Sequence, residues 1–267
     1  MSRIVFLGYC SNSFSQINNV SFLYENDGNK MLVDCGSTIP YNLHSVVESL
    51  SEINYCYISH SHFDHFLGLP YFLIGRNLDI MAKLKKNSNF AVTDLNIIIE
   101  KKLQPVIEEL LRTCHPDVKQ LKYNINFIDL NDTTIVNTSN FKIVVRKMNH
   151  TVDTYGFYLL EQDKKILSYT SDTIFDENII DFLSGSKYLI IEGMVPGSEE
   201  NFSKNAKHAT FEKAIEVINR ITADISFVVH LQPRYLDSII QIESYIRKHS
   251  NCITGFPKVG EWYVLHL

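Results

Sequence analysis

An apolar run, Tyr55–Ser59, stops abruptly in a cluster of metal-type side chains: residues 58–68 read ISHSHFDHFLG. From Ser59 to His65, seven positions hold three histidines and an aspartate. Imidazole and carboxylate are the side chains that bind borderline-hard metal ions. Burying such groups is costly unless each finds a partner, and a bound cation is one. The chain must therefore bring these groups together at a rigid point. A short strand running into a loop does this, because the strand fixes the loop while the loop lets side chains converge.

The same pattern recurs further along. His150 closes FKIVVRKMNH, Asp172 follows KILSYTS and His230 ends ISFVVH. The candidate metal ligands are, in order, His60, His62, Asp64, His65, His150, Asp172 and His230. Within the first stretch, alternate residues 60 and 62 can point to one side, while 64 and 65 reach a second point nearby. Two ions ~3.5–4 Å apart suit such a set, bridged by one carboxylate and a water. These seven side chains, with Asp172 shared, fill two such sites. His44, His115, His249 and His266 stand outside the pattern and read as ordinary hydrogen-bonded histidines.

A chain of 267 residues with 45% hydrophobic residues can bury a sizeable core. No linker, repeat or low-complexity tract divides it, so one domain over 1–267 is expected. Strand-like runs occur at Ile4–Gly8, Val20–Tyr24 and Lys30–Asp34, and Asp27-Gly28 reads as the hairpin turn between the second and third. A helix is expected over YNLHSVVESL after Pro40, a short one over 66–77 and another over 101–114. Residues 83–100 show no clear pattern. Strands follow at 125–129, 134–138 and 141–148, then a hairpin at 155–161 and 166–171. A helix near 176–184, a strand Tyr188–Ile191, a helix Thr210–Ile221, a strand Ile225–His230, a helix over 236–248 and a strand near 261–266 complete the order. Repeated strands with helices after them in each half fit two mixed sheets packed face to face with helices outside, an α/β four-layer sandwich.

The net charge of −5, with no Lys/Arg run of five or more, gives no broad footprint for a long nucleic acid. No eighteen-residue apolar stretch and no signal-peptide pattern is seen, so no membrane span and a cytoplasmic location are expected. The odd count of five widely spaced cysteines reads as small buried hydrophobes rather than disulfides.

SHSHFDH resembles the HxHxDH signature of the metallo-β-lactamase fold, an αββα sandwich. NHTVDTYGF, YTSDT, IIEG, KHATFEKA and HLQPRY resemble, in order, stretches of the tRNase Z-like branch of phosphodiesterases. The resemblance covers nearly the whole chain. It implies a first metal on His60, His62 and His150, a second on Asp64, His65 and His230, and Asp172 between them. It also implies that His208 protonates the leaving oxygen and that Glu192 orients His208. A carboxylate on one imidazole nitrogen fixes the tautomer and raises the basicity of the other, which agrees. The alternative for His208 is a residue that merely precedes the Thr210 helix cap. Arg234 could fork onto a phosphate oxygen, or could be a surface arginine.

Three departures from tRNase Z bear on substrate. Cys35–Pro40 replaces an acidic Gly-Thr-Gln continuation, 76–120 looks compact and helical where a tRNA-gripping arm would be, and Ser171 replaces a glycine. The chain is closest in character to the armless, anti-Pycsar-like members that degrade cyclic nucleotides and commonly work as homodimers. The expectation is a phosphodiesterase that hydrolyses a small nucleotide phosphodiester, a cyclic mononucleotide first, by attack of a metal-bridging hydroxide, with Asp64 orienting it. The expected cofactors are two divalent ions, zinc before manganese. The alternatives are a tRNA 3′-processing endonuclease and a thioester or lactone hydrolase.

Overall fold

The computed structural model describes residues 1–11, 16–116 and 120–266. Two mixed seven-stranded sheets form among them. The first sheet contains β1 (Ser2–Gly8), β2 (Ser21–Asn26), β3 (Asn29–Val33), β4 (Ile53–Tyr57), β5 (Leu95–Ile99), β6 (Ile125–Asp129) and β14 (Trp262–Leu265). The second contains β7 (Ile135–Asn137), β8 (Lys142–Met148), β9 (Thr154–Glu161), β10 (Lys164–Tyr169), β11 (Tyr188–Glu192), β12 (Ile225–Val229) and β13 (Ile253–Gly255). The orders are β14-β1-β2-β3-β4-β5-β6 and β13-β12-β11-β10-β9-β8-β7. Each sheet is antiparallel on one side and parallel on the other, with the change at β3 and at β10.

Burial explains why several strands read as unbroken apolar runs. Ile4 and Phe6 of β1 point into the space between the sheets, where Phe22, Tyr24, Tyr57, Phe157 and Tyr169 also pack. Val5 and Leu7 point the other way, under α1 (Ile39–Leu43), α3 (Leu69–Lys86) and α4 (Gln104–Cys114). A sheet covered on both faces has no solvent side to alternate with. On the outer face of the second sheet lie α5 (Glu177–Leu183), α7 (Phe211–Ile221) and α8 (Ile239–His249). The layers are thus αββα, the expected sandwich. No helix among the described residues is long and apolar enough to cross a membrane.

The Asp27-Gly28 turn is as expected, with φ of 44° and 87°, the left-handed pair that a tight hairpin requires. Other expectations are corrected. The helix after Pro40 ends at Leu43. Ser49 then starts a separate turn, with its Oγ accepting from Ser51 N and Glu52 returning to the Ser49 N–H at 3.1 Å. A capping box inside the segment outcompetes one continuous helix. The short helix at 66–77 runs on to Lys86, because Arg76 and Asn77 are buried partners rather than a stop signal. Asn77 Oδ1 accepts from Lys122 N at 2.7 Å, and the Arg76 guanidinium lies over the Tyr123 ring.

Within 83–100 lies β5, a central strand, so 76–120 is not purely helical. Ile97, Ile99, Leu103 and Ile107 bind this segment into the core beneath the first sheet. Neither α6 (Glu200–Ala206) nor β13 is foreseen by the sequence pattern. Cys10, Cys35 and Cys56 are buried as expected, whereas Cys114 is exposed and Cys252 half-buried.

Candidate metal centre

Strand ends converge along one edge of the sandwich, and each delivers a polar residue. After β3 comes Asp34, after β4 come His60 and His62, after β8 His150, after β10 Asp172, and after β12 His230; Glu192 is the last residue of β11. One correction concerns the first stretch. His62 caps, and Asp64 and His65 lie within, the single-turn helix α2 (Phe63–Phe66), so they do not belong to an irregular loop. That turn is pinned to the exit of β3: Cys35 N donates to His65 O at 2.7 Å, and Gly68 N to Cys35 O at 2.8 Å. Gly36 makes the approach feasible, since a Cβ there would lie 2.0 Å from Asp64 O.

All seven sequence-predicted ligands come together. Donor atoms of His60, His62, His150 and Asp172 lie within 4.8 Å of one another, as do those of Asp64, His65 and His230. Asp172 is the hinge of the cluster. Its Oδ2 lies 3.5 Å from His60 Nε2, 3.5 Å from His65 Nε2, 3.8 Å from His150 Nε2 and 3.1 Å from His230 Nε2. Asp64 Oδ2 lies 3.5 Å from His230 Nε2 and 3.7 Å from His65 Nε2. The Nδ1 atoms of His60, His65 and His150 are held from behind. His65 Nδ1 donates to Asp34 at 2.8 Å and His150 Nδ1 donates to Lys207 O at 2.9 Å. His60 Nδ1 lies 3.0 Å from Ser59 Oγ, and His230 Nδ1 lies 3.3 Å from Glu192 Oε1.

These residues fit a bound cation. The Nε2 atoms of His60, His65 and His230 are buried and make no hydrogen bond among the described residues. Orphaned polar atoms at such depth are rare and costly. Here they surround a carboxylate, and the Nδ1 atoms of His60 and His65 are fixed by hydrogen bonds, the arrangement that prepares imidazole for a metal. The electrostatics agree. Burial pulls both His65 and His230 toward the neutral form, but the surrounding carboxylates, Asp172 foremost, lift their pKa values well above the ordinary histidine range. Burial raises Asp172, and His230 and His65 more than reverse it, leaving it well below the usual carboxylate range. His60 is held neutral by burial. The carboxylates of the pocket therefore favour positive charge beside them.

Beside this cluster stands a second arrangement. His208 Nδ1 makes a short hydrogen bond to Glu192 Oε1. Its ring lies 4.8 Å from that of His150 and stacks on that of His230 at 4.9 Å. Glu192 is fully buried; Oε2 accepts from Thr173 N at 2.5 Å. The expected His208–Glu192 pair is thus present, and Thr210 is also the cap of α7, its side chain accepting from Lys213 N. Arg234 lies apart in a 3-10 turn (Pro233–Ser238), ion-paired with Glu199 and set against the Phe202 and Tyr235 rings.

Sequence reasoning missed Asp34. Its Oδ1 accepts from Ser59 N at 2.7 Å, and its Oδ2 from Ser59 Oγ at 2.9 Å, His65 Nδ1 at 2.8 Å and Tyr169 Oη at 2.7 Å. The signal was available, since Asp34 also ends an apolar strand. Four non-glycine residues around the site have left-handed backbones: Asp34 (φ 56°), Ser171 (φ 52°), Lys207 (φ 54°) and His230 (φ 68°). Such conformations concentrate where function fixes the backbone.

Comparison with known proteins agrees with this geometry. The family model described as anti-Pycsar protein Apyc1 matches residues 2–248. A protein named ribonuclease Z from Lactobacillus delbrueckii subsp. bulgaricus is 29% identical over 167 residues, 61% of this chain and 50% of that protein. The chain thus spans about half the length of that relative. The anti-Pycsar protein Apyc1 of Bacillus phage 010DV004 is 21% identical over 230 residues, 80% of this chain and 82% of that protein. Among solved structures, the metallo-β-lactamase fold protein YhfI from Bacillus subtilis superposes with a TM-score of 0.81 at 17% identity, covering 98% of both chains. The sandwich is therefore the metallo-β-lactamase fold, and the chain belongs to the anti-Pycsar protein Apyc1 family.

Proposed function

We propose that residues 1–267 act as one cytoplasmic domain that hydrolyses a small nucleotide phosphodiester, a cyclic mononucleotide first, with two divalent ions, zinc before manganese. The observation that carries this reading is the pairing of orphaned, buried His60, His65 and His230 Nε2 atoms with a His208–Glu192 pair just outside them. His60, His62 and His150 would hold one ion, Asp64, His65 and His230 the other, and Asp172 both. Bound ions of this kind supply Lewis acidity toward a phosphoryl oxygen and acidify water.

The chain's own groups do the rest. Asp64, whose side chain keeps 17% of its exposure, is open enough to accept a hydrogen bond from the attacking water and aim it at phosphorus. His208 donates Nδ1–H to Glu192, which leaves Nε2 to carry a proton to the departing oxygen. Burial raises the Glu192 carboxyl, but His208 outweighs this and holds it below its ordinary range, so Glu192 stays anionic and able to stabilise the imidazolium. Arg234 is held by an ion pair with Glu199 and by contacts with the Phe202 and Tyr235 rings. Its side chain is half-exposed, and such surface pairs and cation–ring contacts are each worth about 0–1 kcal/mol, so Arg234 can swing onto a phosphoryl oxygen. A homodimer is part of this reading, carried over from the resemblance to the cyclic-nucleotide-degrading group.

The similarity to a protein named ribonuclease Z favours one second reading, cleavage of a tRNA 3′ end. One metal-loaded preparation assayed on 2′,3′- and 3′,5′-cyclic nucleotides, a pre-tRNA and a thioester decides between them. The expected result is turnover of a cyclic mononucleotide that is lost in His62→Ala. Turnover of the pre-tRNA alone selects the second reading. Turnover of the thioester alone, or full diester hydrolysis by the variant, sinks both.

A further inference from the structure

Lys207 is one of the four left-handed non-glycine residues around the site. It ends α6 with φ 54° and ψ 51°. Helices commonly end on a left-handed residue, but glycine or asparagine usually takes that place, because a Cβ is crowded there. A lysine in this conformation calls for something that repays it.

Four hydrogen bonds meet at this turn. The Lys207 carbonyl accepts from His150 Nδ1 at 2.9 Å. The Lys207 Nζ donates to the His150 carbonyl at 3.1 Å, so one residue grips His150 at both its ring and its backbone. The next residue is His208. Its N–H donates to Ser203 O at 2.9 Å, and Ser203 Oγ donates to His208 O at 2.5 Å, which fixes the direction in which the chain leaves the helix. The left-handed twist thus does two things at once. It turns a carbonyl back onto His150, leaving Nε2 of that ring facing Asp172, and it sends His208 forward onto Glu192.

We propose that Lys207 is a positioning residue: its left-handed backbone holds His150 and His208 in register, so that metal affinity and proton donation depend on one φ angle. This rests on the metal-assisted hydrolase reading for its second half alone. The metal-binding half stands on the His150 contact and is measured without turnover.

The test uses substitutions that sort backbone from side chain. Lys207→Gly and Lys207→Asn both accept a left-handed backbone and remove the ammonium. Lys207→Val disfavours that backbone strongly, because β-branched residues are genuine outliers there. Metal affinity is read by competition with a chromophoric chelator on the full chain, with the fold checked by circular dichroism. Lys207→Gly and Lys207→Asn should hold metal within about threefold of the parent, an increment small against the tenfold that 1.4 kcal/mol produces. Lys207→Val should weaken it by about 10–100-fold, the usual cost of losing a group that orients a ligand. For active preparations, kcat should fall in Lys207→Val with KM little changed.

A folded Lys207→Val with parental metal affinity overturns the proposal. So does a loss in Lys207→Gly as large as in Lys207→Val, which would assign the effect to the ammonium. Should the valine variant not fold, Lys207→Ala keeps a Cβ without the ammonium. Metal affinity in Lys207→Gly should then equal or exceed that in Lys207→Ala, and the reverse order overturns the idea. A parent that binds metal but hydrolyses no phosphodiester refutes the function proposed above and leaves the affinity comparison intact.

Discussion

The two sheets build their shares of the centre in opposite ways. The first contributes His60, His62, Asp64 and His65 from six consecutive positions, braced by one helical turn and by Asp34. The second contributes Glu192 from the end of β11 and His150, Asp172, His208 and His230 one at a time, each from a different connection. A contiguous motif can be arranged locally. A dispersed set acquires its geometry only when the five strands from β8 to β12 lie in order in one sheet. The first half therefore behaves as a prefabricated part and the second as the product of folding, with Asp172 as the joint.

Breaking that joint should give the largest effect. Asp172 Oδ2 lies within 3.1–3.8 Å of four Nε2 atoms, those of His60 and His65 from one half and those of His150 and His230 from the other. Asp172→Ala removes the shared carboxylate and leaves the imidazoles facing each other. Metal affinity should fall by more than the roughly 100-fold that loss of an outer partner can cost, with diester hydrolysis below detection. Metal analysis after gel filtration checks this. A variant that keeps its full metal content would mean that the halves bind independently and that Asp172 joins nothing.

A middle-sized effect is expected from a residue of the second half alone. His208→Ala removes the proposed proton donor while His230 Nδ1 and Thr173 N still face Glu192. Metal content should stay parental. The rate on a substrate with a poor leaving group should drop about 10²–10⁴-fold, the usual range for general acid catalysis, and recover when the leaving group needs no proton. Steady-state kinetics on paired substrates measures it. Equal losses on both would assign His208 to holding the site rather than to proton transfer.

The same contrast governs what the sequence reveals. HxHxDH is legible because six positions carry the whole pattern. His150, Asp172 and His230 are legible only because each ends an apolar run. Asp34 obeys the same rule, yet it has no metal-type neighbour to draw attention, and its role emerges only when Ser59, His65 and Tyr169 are seen to meet it. Beneath the first sheet the reading is poorest. β5 is covered on both faces and shows no alternation, and the buried Arg76 and Asn77 imitate the end of a helix that runs nine residues further, to Lys86. In each case the deciding contact is long-range. The αββα order, by contrast, follows from the sequence of strand and helix signals, which are local.

The smallest predicted effect compares left-handed residues from the two halves. Asp34 and Ser171 both leave a strand with positive φ, at 56° and 52°. Asp34 offsets its conformation with hydrogen bonds from Ser59, His65 and Tyr169. Ser171 does not: its Oγ is buried and finds no hydrogen-bond partner among the described residues. A left-handed non-glycine residue costs about 1–2 kcal/mol, and an unsatisfied buried hydroxyl about 1–3 kcal/mol. Glycine removes both costs but adds roughly 0.5–1 kcal/mol of unfolded-state entropy. Ser171→Gly should therefore stabilise the metal-free protein by at least about 1 kcal/mol, which raises Tm by at least about 2–4 °C in a chain of this size. Calorimetry in the presence of chelator measures it. Metal affinity should be unchanged, because the Asp172 backbone keeps its direction. A lowered Tm would mean that the hydroxyl holds a water that Asp172 needs, and the second half would then be as closely braced as the first.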